Sequence, residues 1–382
     1  MVDTTRWVAE MPGRSILIIG GGIAGLTSAI ALGRQARTLD VIERDPTWSV
    51  YGVGIIQQAN VIRAAAQLGI LDDYVSAGFP FEGVSMYAPD GSLISEIPAP
   101  RLAGTNYPAN LGISRPALHK LLGEHAKGAG ARIRLGVTAR HIVEEGPQVS
   151  VEFSDGATGR YDLVIGADGL YSQTRTTLFP EAAPPRFTGQ SVWRYNFPRP
   201  REMNSLHVYA GRVGVGLVPI SSALMYMYVV TAEPGNPRMP RAGLAAALRA
   251  RLAGQPPAIA ALVEQITDDN GIVYKPLECV LLTGDWYKGR VILIGDAAHA
   301  TTPHLGQGAG MAFEDSVVLA EELARHDDVQ AAFRAFLARR RDRCRFIVEN
   351  SVAVGEYQLG LRASLDYAAI TRRMFEVTAE PL

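Results

Sequence analysis

The sequence predicts an α/β protein, in which a Rossmann-like domain carries an inserted β-sheet region and ends in helices. Three observations predict this fold class. Residues 15–45 read as a strand, a glycine-rich turn, a helix and a second strand. Two further apolar runs, at 162–165 and 290–294, read as buried parallel strands, and each is followed by a glycine-containing turn. Residues 186–275 instead hold short, aromatic-rich alternating runs, which favour antiparallel strands.

The first βαβ unit carries a glycine pattern that suits a phosphate ligand. The apolar run Ile16–Ile19 leads into Gly20, Gly22 and Gly25, spaced G-x-G-x-x-G. Gly20 permits the turn out of the strand, Gly22 lets the backbone approach a pyrophosphate, and Gly25 lets the helix pack closely on the strand. Glu43 ends the second strand, where it can accept hydrogen bonds from an adenosine ribose. This context predicts dinucleotide binding but does not separate NAD from FAD; an ordinary βαβ unit with a glycine-rich turn is the alternative.

Bulk properties exclude several classes of protein. The 382 residues include 37 basic and 38 acidic side chains, and this balance does not favour a nucleic-acid partner. The two cysteines form no C-x-x-C motif, which argues against a disulfide framework or a zinc site and fits a reducing compartment. No signal-peptide core is visible in residues 1–14, and no apolar run reaches membrane-spanning length. We expect a cytoplasmic monomer or homodimer without a metal, a membrane or a nucleic acid as partner.

Local patterns then predict the elements that follow the first unit. The apolar spacing at 60–68 predicts a helix, and Pro89-Asp90-Gly91 predicts a hairpin over 81–98. A second amphipathic helix is predicted over 113–128, with Ser114 as its N-cap. Arg115 lies at the start of that helix, where spacing alone favours a solvated arginine.

The second half of the chain adds strands and helices in the same way. Strands are predicted within 132–165, and a long helix is predicted over 308–324. Residues 330–348 read as a strongly basic helix, whose charges we interpret as a solvated face. The last stretch, 351–382, carries no motif that indicates a role.

Two more glycine-rich turns decide between the possible cofactors. They lie within Asp162–Arg175, which contains Gly-Ala-Asp-Gly, and Gly289–Gly310, which contains Gly-Asp-Ala-Ala-His. An acidic residue just past a strand can hold sugar or ribityl hydroxyls. The glycines that follow begin a helix, whose positive N-terminal end can face an anion.

With these three motifs in this order, the chain resembles the single-component FAD-dependent aromatic hydroxylases, which are the para-hydroxybenzoate hydroxylase-like flavoprotein monooxygenases. The similarity covers most of residues 14–345 and is weakest over 186–275. It implies a Rossmann-like FAD-binding domain of GR2 type. Its first part would be residues 1–185, its second part with the C-terminal helices would be residues 276–382, and the inserted substrate domain, mainly antiparallel β-sheet, would be residues 186–275.

The resemblance also implies a set of FAD-binding residues. Glu43 would bind the adenosine ribose, and Arg115 would contact the phosphate or ribityl region. Asp168 would lie near the pyrophosphate, where the family also links it to transient NAD(P)H binding, and Asp296 would hold a ribityl hydroxyl. Residues 303–308 would pass beside the isoalloxazine. The full implied set is Gly20, Gly22, Gly25, Glu43, Arg44, Gly54, Arg115, Asp168, Asp296, Pro303, Gly306 and Gly308.

The reaction implied is the hydroxylation of a small phenolic or N-heteroaromatic compound with NAD(P)H and O2, through a flavin C4a-hydroperoxide. FAD would be the resident cofactor and NAD(P)H a transient reductant. A helix that starts near Gly306 would aim backbone N–H groups and its positive dipole end at the pyrimidine edge of the reduced flavin. The flavin carries the difficult chemistry, so neither a metal nor a nucleophilic side chain is expected.

Three residues are predicted to act on the substrate. His304 can hydrogen-bond the substrate or assist proton removal, with a structural histidine as the alternative. Tyr226 and Tyr228 alternate on one strand, so they face the same side and can form part of a pocket wall, with ordinary core packing as the alternative for each. An acidic residue follows the corresponding proline in urate-hydroxylating relatives, and the histidine found here argues against urate.

Other side chains around this region are weaker candidates. Trp193, Tyr195 and His207 can complete an aromatic pocket wall, although ordinary core packing is the alternative for each. Arg194 and Arg212 can bind a substrate carboxylate in a bidentate manner. Surface placement is at least as good an interpretation for Arg212.

Two other functions stay open at this level. One is a flavoenzyme of the same fold with different chemistry, such as an epoxidase or a reductase. The other is a non-catalytic flavin-binding redox sensor. Substrate-stimulated NAD(P)H oxidation discriminates the sensor from an enzyme, and turnover of an isolated alkene discriminates an epoxidase or reductase from a hydroxylase.

Overall fold

The computed structural model describes residues 13–209 and 211–382, so most of the predicted irregular lead-in over 1–14 lies outside the described residues. Strands are β1 Arg14–Ile19, β2 Ala36–Glu43, β3 Gly54–Gln57, β4 Phe79–Phe81, β5 Gly83–Tyr87, β6 Leu93–Pro98, β7 Asn110–Ser114, β8 Arg132–Leu135, β9 Ala139–Glu145, β10 Gln148–Phe153, β11 Thr158–Tyr161, β12 Leu163–Gly166, β13 Arg186–Pro198, β14 Leu206–Tyr209, β15 Gly214–Pro219, β16 Leu224–Ala232, β17 Val273–Cys279, β18 Tyr287–Lys288 and β19 Val291–Leu293. Helices are α1 Ile23–Leu32, α2 Ala59–Gln67, α3 Leu71–Ser76, α4 Arg115–Gly128, α5 Gln173–Leu178, α6 Leu244–Arg251, α7 Pro257–Val263, α8 Asp296–His299, α9 Gly308–Arg325, α10 Val329–Gln358 and α11 Tyr367–Ala379. Short 3-10 turns span Asp269–Gly271 and Pro303–Leu305.

The predicted α/β fold is confirmed by a six-stranded sheet in the order β18-β19-β12-β1-β2-β8. Strands β19, β12, β1, β2 and β8 run parallel, and β18 closes one edge in the antiparallel direction. Residues 16–19 of β1 are all buried, because parallel strands are covered on both faces. Helices α1 and α9 pack against each other, with α4 beside α1 and α10 beside α9. Since parallel strands end at one edge, this sheet presents the three glycine-rich turns together.

A second sheet has seven strands in the order β17-β13-β16-β15-β14-β5-β6. Neighbouring strands are antiparallel, except that β14 runs parallel to β5. The predicted hairpin over 81–98 is present as β5 and β6, but it joins this sheet. The sheet is therefore not confined to residues 186–275, which the sequence interpretation assigned to the substrate domain. The division of the chain into domains stays a prediction.

Helix boundaries follow the predicted caps closely. Ser114 Oγ accepts a hydrogen bond from the Ala117 backbone N–H at 3.2 Å, so α4 begins at Arg115. The preceding residue, Ile113, belongs to β7 instead of the predicted helix. Among the described residues, no helix is both long and apolar enough to cross a membrane.

Candidate active site

A cavity of about 880 Å³ lies between the glycine-rich turns and one face of the seven-stranded sheet. Most of the residues predicted for the cofactor or the substrate line it. They are Gly22, Glu43, Arg44, Gly54, Arg115, Tyr226, Tyr228, Asp296, Pro303, His304, Gly306 and Gly308. Three predicted residues do not line this cavity. Gly20 and Asp168 border a smaller pocket of about 220 Å³, which Gly22, Glu43 and Arg44 also border, and Gly25 lines neither.

The first glycine-rich turn has the geometry that its spacing predicts. Gly20 has a φ of +113°, which favours glycine, and a Cβ there would lie 2.3 Å from the Ala167 carbonyl oxygen. A Cβ on Gly25 would lie 1.9 Å from the Gly20 carbonyl oxygen, so this glycine is required for helix-on-strand packing. Nothing lies within 4 Å of the Cβ position of Gly22, the N-cap of α1. The turn is therefore closely packed against neighbouring backbone at Gly20 and Gly25, and it leaves space for a ligand at Gly22.

Two side chains that the sequence interpretation missed hold the middle of this turn. Trp48 Nε1 donates to the Gly21 carbonyl oxygen at 2.9 Å, and His119 Nε2 lies 3.1 Å from the same oxygen. Trp48 has a φ of +51°, a left-handed conformation that is uncommon for a bulky residue. A peptide unit points its C=O and N–H in opposite directions, so fixing the Gly21 oxygen also fixes the direction of the Gly22 N–H.

The acidic residue at the end of β2, Glu43, also forms hydrogen bonds with the backbone of the turn. The two carboxylate oxygens of Glu43 accept hydrogen bonds at 2.8 Å from the backbone N–H groups of Gly21 and Asp45. Each oxygen keeps an additional lone pair for a ligand hydroxyl. Glu43 is thus rigidly placed before any ligand binds.

Asp168 makes contacts within its own motif. Its carboxylate accepts hydrogen bonds from the Ser172 hydroxyl at 2.5 Å and from the Thr174 backbone N–H at 3.0 Å. It therefore orders the start of α5 beside the smaller pocket. A direct role for Asp168 near a pyrophosphate or NAD(P)H stays a prediction.

Arg115 is enclosed within the cavity wall instead of solvated. Its Nε is buried and has no hydrogen-bond partner among the described residues, and burial lowers its pKa. Asp296 is the nearby acidic group, and burial raises the pKa of its carboxyl. A buried, unpaired guanidinium nitrogen is the kind of donor that a phosphate or polar ligand satisfies.

A buried ionic cluster supports the Asp296 turn from behind. Asp315 on α9 accepts hydrogen bonds from the Gly295 backbone N–H at 2.9 Å and from Arg340 Nε at 2.8 Å, and it lies 2.7 Å from His299 Nε2. Arg340 Nη1 also donates to Glu314 at 2.6 Å. Burial alone would lower the pKa of His299, but Cys344 and Asp315 together raise it well above its ordinary value.

This cluster corrects the interpretation of the basic helix as a solvated face. Arg340 and Arg343 of α10 are buried, with 1% and 8% of their surfaces exposed. Donor atoms of His299, Asp315 and Cys344 lie within 4.8 Å of one another, which is short enough for a metal site. Arg340 already donates to Asp315 and lies 3.6 Å from the Cys344 sulfur, so the cationic place in this cluster is taken.

The segment after the third motif leads into α9, which begins at Gly308 as the sequence predicts. Pro303–Leu305 forms a 3-10 turn, Gly306 has a φ of +66°, and α9 starts at Gly308. The first helical residue lines the cavity, as does Gly306. The positive end of an 18-residue helix therefore points toward this region, as the sequence predicted for a start near Gly306.

The sheet face opposite the turns carries the polar side chains of the substrate end. Tyr226 and Tyr228 lie on β16, and Tyr228 is paired in register with Arg194 of β13. Burial raises the pKa of Tyr226 to about 12 and raises that of Tyr228 further. Burial and the nearby Arg115 lower the pKa of Arg194 to about 10. Arg194 has no hydrogen-bond or ion-pair partner among the described residues, and it is still a cation at neutral pH.

Several weaker candidates lie elsewhere. Trp193 and Tyr195 point to the other face of β13, because side chains alternate along a strand, and they pack in the core under that face. His207 does not line the cavity, and Arg212 is exposed on the β14–β15 turn. The predicted aromatic wall is therefore wrong for these three aromatic residues.

His304 lines the cavity with both ring nitrogens engaged. Nδ1 lies 2.8 Å from Thr302 Oγ1, and Nε2 lies 3.2 Å from Gln358 Oε1. The amide oxygen can only accept, so Nε2 carries the hydrogen and Nδ1 accepts from the Thr302 hydroxyl. Burial lowers the pKa of His304 to about 4. This geometry favours a neutral, oriented ring over a proton acceptor.

Replacing His304 with glutamine is expected to reduce the acid sensitivity of the fold. Between pH 6.5 and about 4 the unfolded chain takes up a proton that the folded protein does not, so stability falls as the pH is lowered through this range. By pH 5 this one group lowers the free energy of unfolding by about 2 kcal/mol relative to its value at pH 7.5. Urea unfolding at pH 7.5 and 5.0 measures it, with the exposed His141→Gln as the control. An equal loss in the wild type and His304→Gln would contradict the assignment.

The C-terminal stretch without a motif also contributes to the cavity. One stripe of α11 lines it at helical spacing, with Tyr367, Thr371, Met374 and Phe375. The far end of this helix is held by Arg63, whose guanidinium donates to backbone carbonyl oxygens of residues 378–380. Amphipathic periodicity is the signal that would have found this wall.

Comparison with known proteins gives a family. The model of the FAD binding domain family matches residues 14–351. A 2-heptyl-3-hydroxy-4(1H)-quinolone synthase from Pseudomonas aeruginosa is 34% identical over 313 residues, which cover 80% of each chain. A 3-hydroxybenzoate 6-hydroxylase from Polaromonas naphthalenivorans is 30% identical over 363 residues, covering 91% of this chain and 88% of the relative.

A solved structure extends the likeness to the whole fold. HpxO of Klebsiella pneumoniae, complexed with FAD and uric acid, superposes with a TM-score of 0.82 at 25% identity. The match covers 96% of this chain and 93% of the other. The open Gly22 position, the unpaired Arg115 nitrogen and the placed Glu43 all fit such a cofactor. The chain therefore belongs to the FAD binding domain family and is an FAD-dependent monooxygenase of the aromatic hydroxylase type.

Proposed function

We propose that the protein hydroxylates a small phenolic or N-heteroaromatic compound with NAD(P)H and O2. One observation carries the proposal: Arg194, Tyr226 and Tyr228 line the same cavity as the predicted FAD-binding residues. Polar groups for an aromatic substrate thus lie opposite the turns that suit a dinucleotide. The relatives support an aromatic or heteroaromatic substrate, since their names include a quinolone and a hydroxybenzoate.

We assign the dinucleotide end of the cavity to FAD. Glu43 would accept hydrogen bonds from the adenosine ribose, the Gly22 N–H would face the pyrophosphate, and Asp296 would hold a ribityl hydroxyl. Arg115 would supply a charge-assisted hydrogen bond, which would satisfy its buried Nε. When bound, FAD supplies hydride acceptance from NAD(P)H and oxygen transfer, and the protein binds and orients the reactants.

At the sheet end, the residues are suited to hold an oxygen substituent of an aromatic ring. Tyr226 is protonated at neutral pH, as tyrosines ordinarily are, and burial raises its pKa further, to about 12, so its hydroxyl can donate a hydrogen bond. Arg194 is cationic and lies near that tyrosine. Together they would stabilise a ring oxygen that loses its proton, which makes the ring more electron-rich. A carboxylate on the ring is the other anion that this pair can bind.

The start of α9 would favour negative charge at the centre of the cavity. Gly308 begins the helix, and the four N–H groups of a first turn lack partners within the helix. The positive end of the helix stabilises an anion nearby, an effect that salt screens only weakly in a buried site.

Turnover by the FAD-loaded protein tests this function. NADH and NADPH oxidation, O2 consumption and peroxide release are measured with phenols, hydroxypyridines, quinolones and isolated alkenes. The proposal requires that one aromatic compound accelerates oxidation, yields a hydroxylated product and releases little peroxide. Flat rates with all aromatic compounds would remove it and favour a redox sensor, whereas alkene turnover would indicate an epoxidase.

A cytoplasmic location also stays proposed, with both cysteines free and buried.

Substituting Trp48 or His119 with phenylalanine is expected to weaken FAD binding about fivefold each. Each change removes one hydrogen bond that fixes the Gly21–Gly22 peptide, and a net hydrogen bond contributes about 1 kcal/mol. Quenching of FAD fluorescence on titration of the apoprotein measures the dissociation constant. His125→Phe on the same helix is the control, because His125 does not line the cavity. Unchanged FAD affinity in both variants would contradict the role.

A further inference from the structure

One part of the cavity wall is entirely apolar, and we call it the apolar strip. It consists of Val84 and Met86 on β5, Leu206 and Val208 on β14, and Ile97 on β6, which all line the cavity. The strands are in register, with Leu206 opposite Val84, Val208 opposite Met86 and Val84 opposite Ile97. Because residues i and i+2 share a face of a strand, the five side chains form one continuous surface.

The strip leads directly away from the polar end of the site. In the sheet, β15 and β14 separate the tyrosine-bearing β16 from β5, and neighbouring strands lie about 4.8 Å apart. Leu206 and Tyr226 both line the cavity, and they belong to one packed cluster with Val218 of β15, which is paired in register with Tyr226. From β16 to β5 the wall therefore extends over about 14 Å.

The side chains of the apolar strip are partly exposed to the cavity, although none of them can form a hydrogen bond with a ligand. Val84, Met86, Val208 and Ile97 are each only partly buried. The cation Arg194 is on β13, beyond β16 at the opposite end of the wall. Apolar surface that faces a binding cavity gains stability when an apolar ligand group covers it, whereas a charged substituent would lose its hydration there.

We propose that the substrate carries an extended apolar substituent, such as a linear alkyl chain, which lies along the apolar strip. Its aromatic ring and ring oxygen lie at Arg194 and Tyr226. The inference rests on the proposed function for the ring, and it specifies a substrate class: an alkylated, rather than a carboxylated, hydroxyaromatic compound. The occupant is part of the substrate itself, because strip and ring-binding groups belong to one cavity.

A chain-length series on the FAD-loaded protein tests the proposal. The probes are 2-methyl-, 2-propyl-, 2-pentyl- and 2-heptyl-4-quinolone, and the perturbation of the flavin absorbance reports each dissociation constant. We expect the constant to fall about fourfold for each added CH2 until the strip is covered, as burial of a methylene predicts. Equal dissociation constants for the methyl and heptyl compounds, or no binding by any of them, would overturn the proposal.

A blocking variant locates the chain. Val84→Trp would fill the strip, so the heptyl compound should bind at least tenfold more weakly, while the methyl compound keeps its wild-type affinity. Retained flavin absorbance and methyl-quinolone binding show that this variant is folded. Val143→Trp is the matched control, because Val143 is exposed on β9 and does not line the cavity. Equal effects of Val84→Trp on both compounds would overturn the placement.

NAD(P)H oxidation in the same samples separates failure of the inference from failure of the proposed function. Turnover without chain-length dependence leaves the hydroxylase function in place and overturns the substrate class. Turnover of 3-hydroxybenzoate, with no binding of the alkyl compounds, likewise retains the hydroxylase function and overturns the alkylated substrate class. Chain-length-dependent binding without NAD(P)H oxidation supports the strip as a binding site and removes the hydroxylase function.

Discussion

Replacement of Arg340 by methionine is expected to destabilise the protein by about 3–5 kcal/mol. The guanidinium donates to Asp315 at 2.8 Å and to Glu314 at 2.6 Å, and all three side chains are at most 1% exposed. Methionine would leave two buried carboxylates without this counter-charge. Because Asp315 also holds the Gly295 N–H, the turn that carries Asp296 should loosen as well. Urea unfolding and FAD titration measure the two effects.

A control for Arg340→Met is available on the same helix. Arg345 pairs with Asp342 at 2.7 Å, but its side chain is 53% exposed. Exposed pairs contribute at most about 1 kcal/mol, so Arg345→Met should leave stability and FAD affinity nearly unchanged. If the two variants were equally stable, the buried cluster would not support the turn in the way we describe.

Replacement of Arg194 by methionine is expected to lower kcat/KM about 100-fold. In the proposed complex, Arg194 pairs with the anionic ring oxygen of the substrate. Removing one partner of such a buried, hydrogen-bonded charge pair costs about 2–5 kcal/mol, and the loss would fall on substrate binding and ring activation. FAD affinity should change little, because the residue lies on the sheet and not on the glycine-rich turns. The measurement compares kcat/KM with the FAD dissociation constant of the same variant.

Arg212 offers the matched control for this prediction. It is an arginine of the same sheet region, but it is exposed on the β14–β15 turn and does not line the cavity. Arg212→Met should retain wild-type turnover. A loss of FAD binding as large as the loss of kcat/KM in Arg194→Met would instead show that Arg194 serves the cofactor.

The fold could be predicted from the sequence to the extent that local signals carried it. Glycine spacing, apolar runs and the Ser114 cap are local, and the corresponding turns, strands and helix are present. Sheet membership is not local. Nothing in the hairpin over 81–98 indicates that β5 pairs with β14, which lies more than one hundred residues later in the chain.

The candidate site could also be predicted only in part, namely where its residues belong to a sequence motif. Most of the predicted motif residues line the cavity, because a motif fixes both chemistry and position. Trp48 and His119 were missed because their role depends on a shared contact with one carbonyl oxygen, which no spacing reveals. Arg340 looked solvated because charge runs usually are, and its buried carboxylate partners lie on another helix. Both ring nitrogens of His304 are occupied, which favours the structural alternative for this residue, and its action on the substrate stays a prediction.

The composition of the seven-stranded sheet also bears on protein engineering. A chimera that exchanged only residues 186–275 with a relative would transplant the tyrosines and Arg194 but leave β5 and β6 of the recipient in place. The hybrid wall would join two surfaces that were not selected together, across the β14–β5 ladder. A transfer of substrate preference should therefore move residues 79–99 together with 186–279 as a two-part cassette.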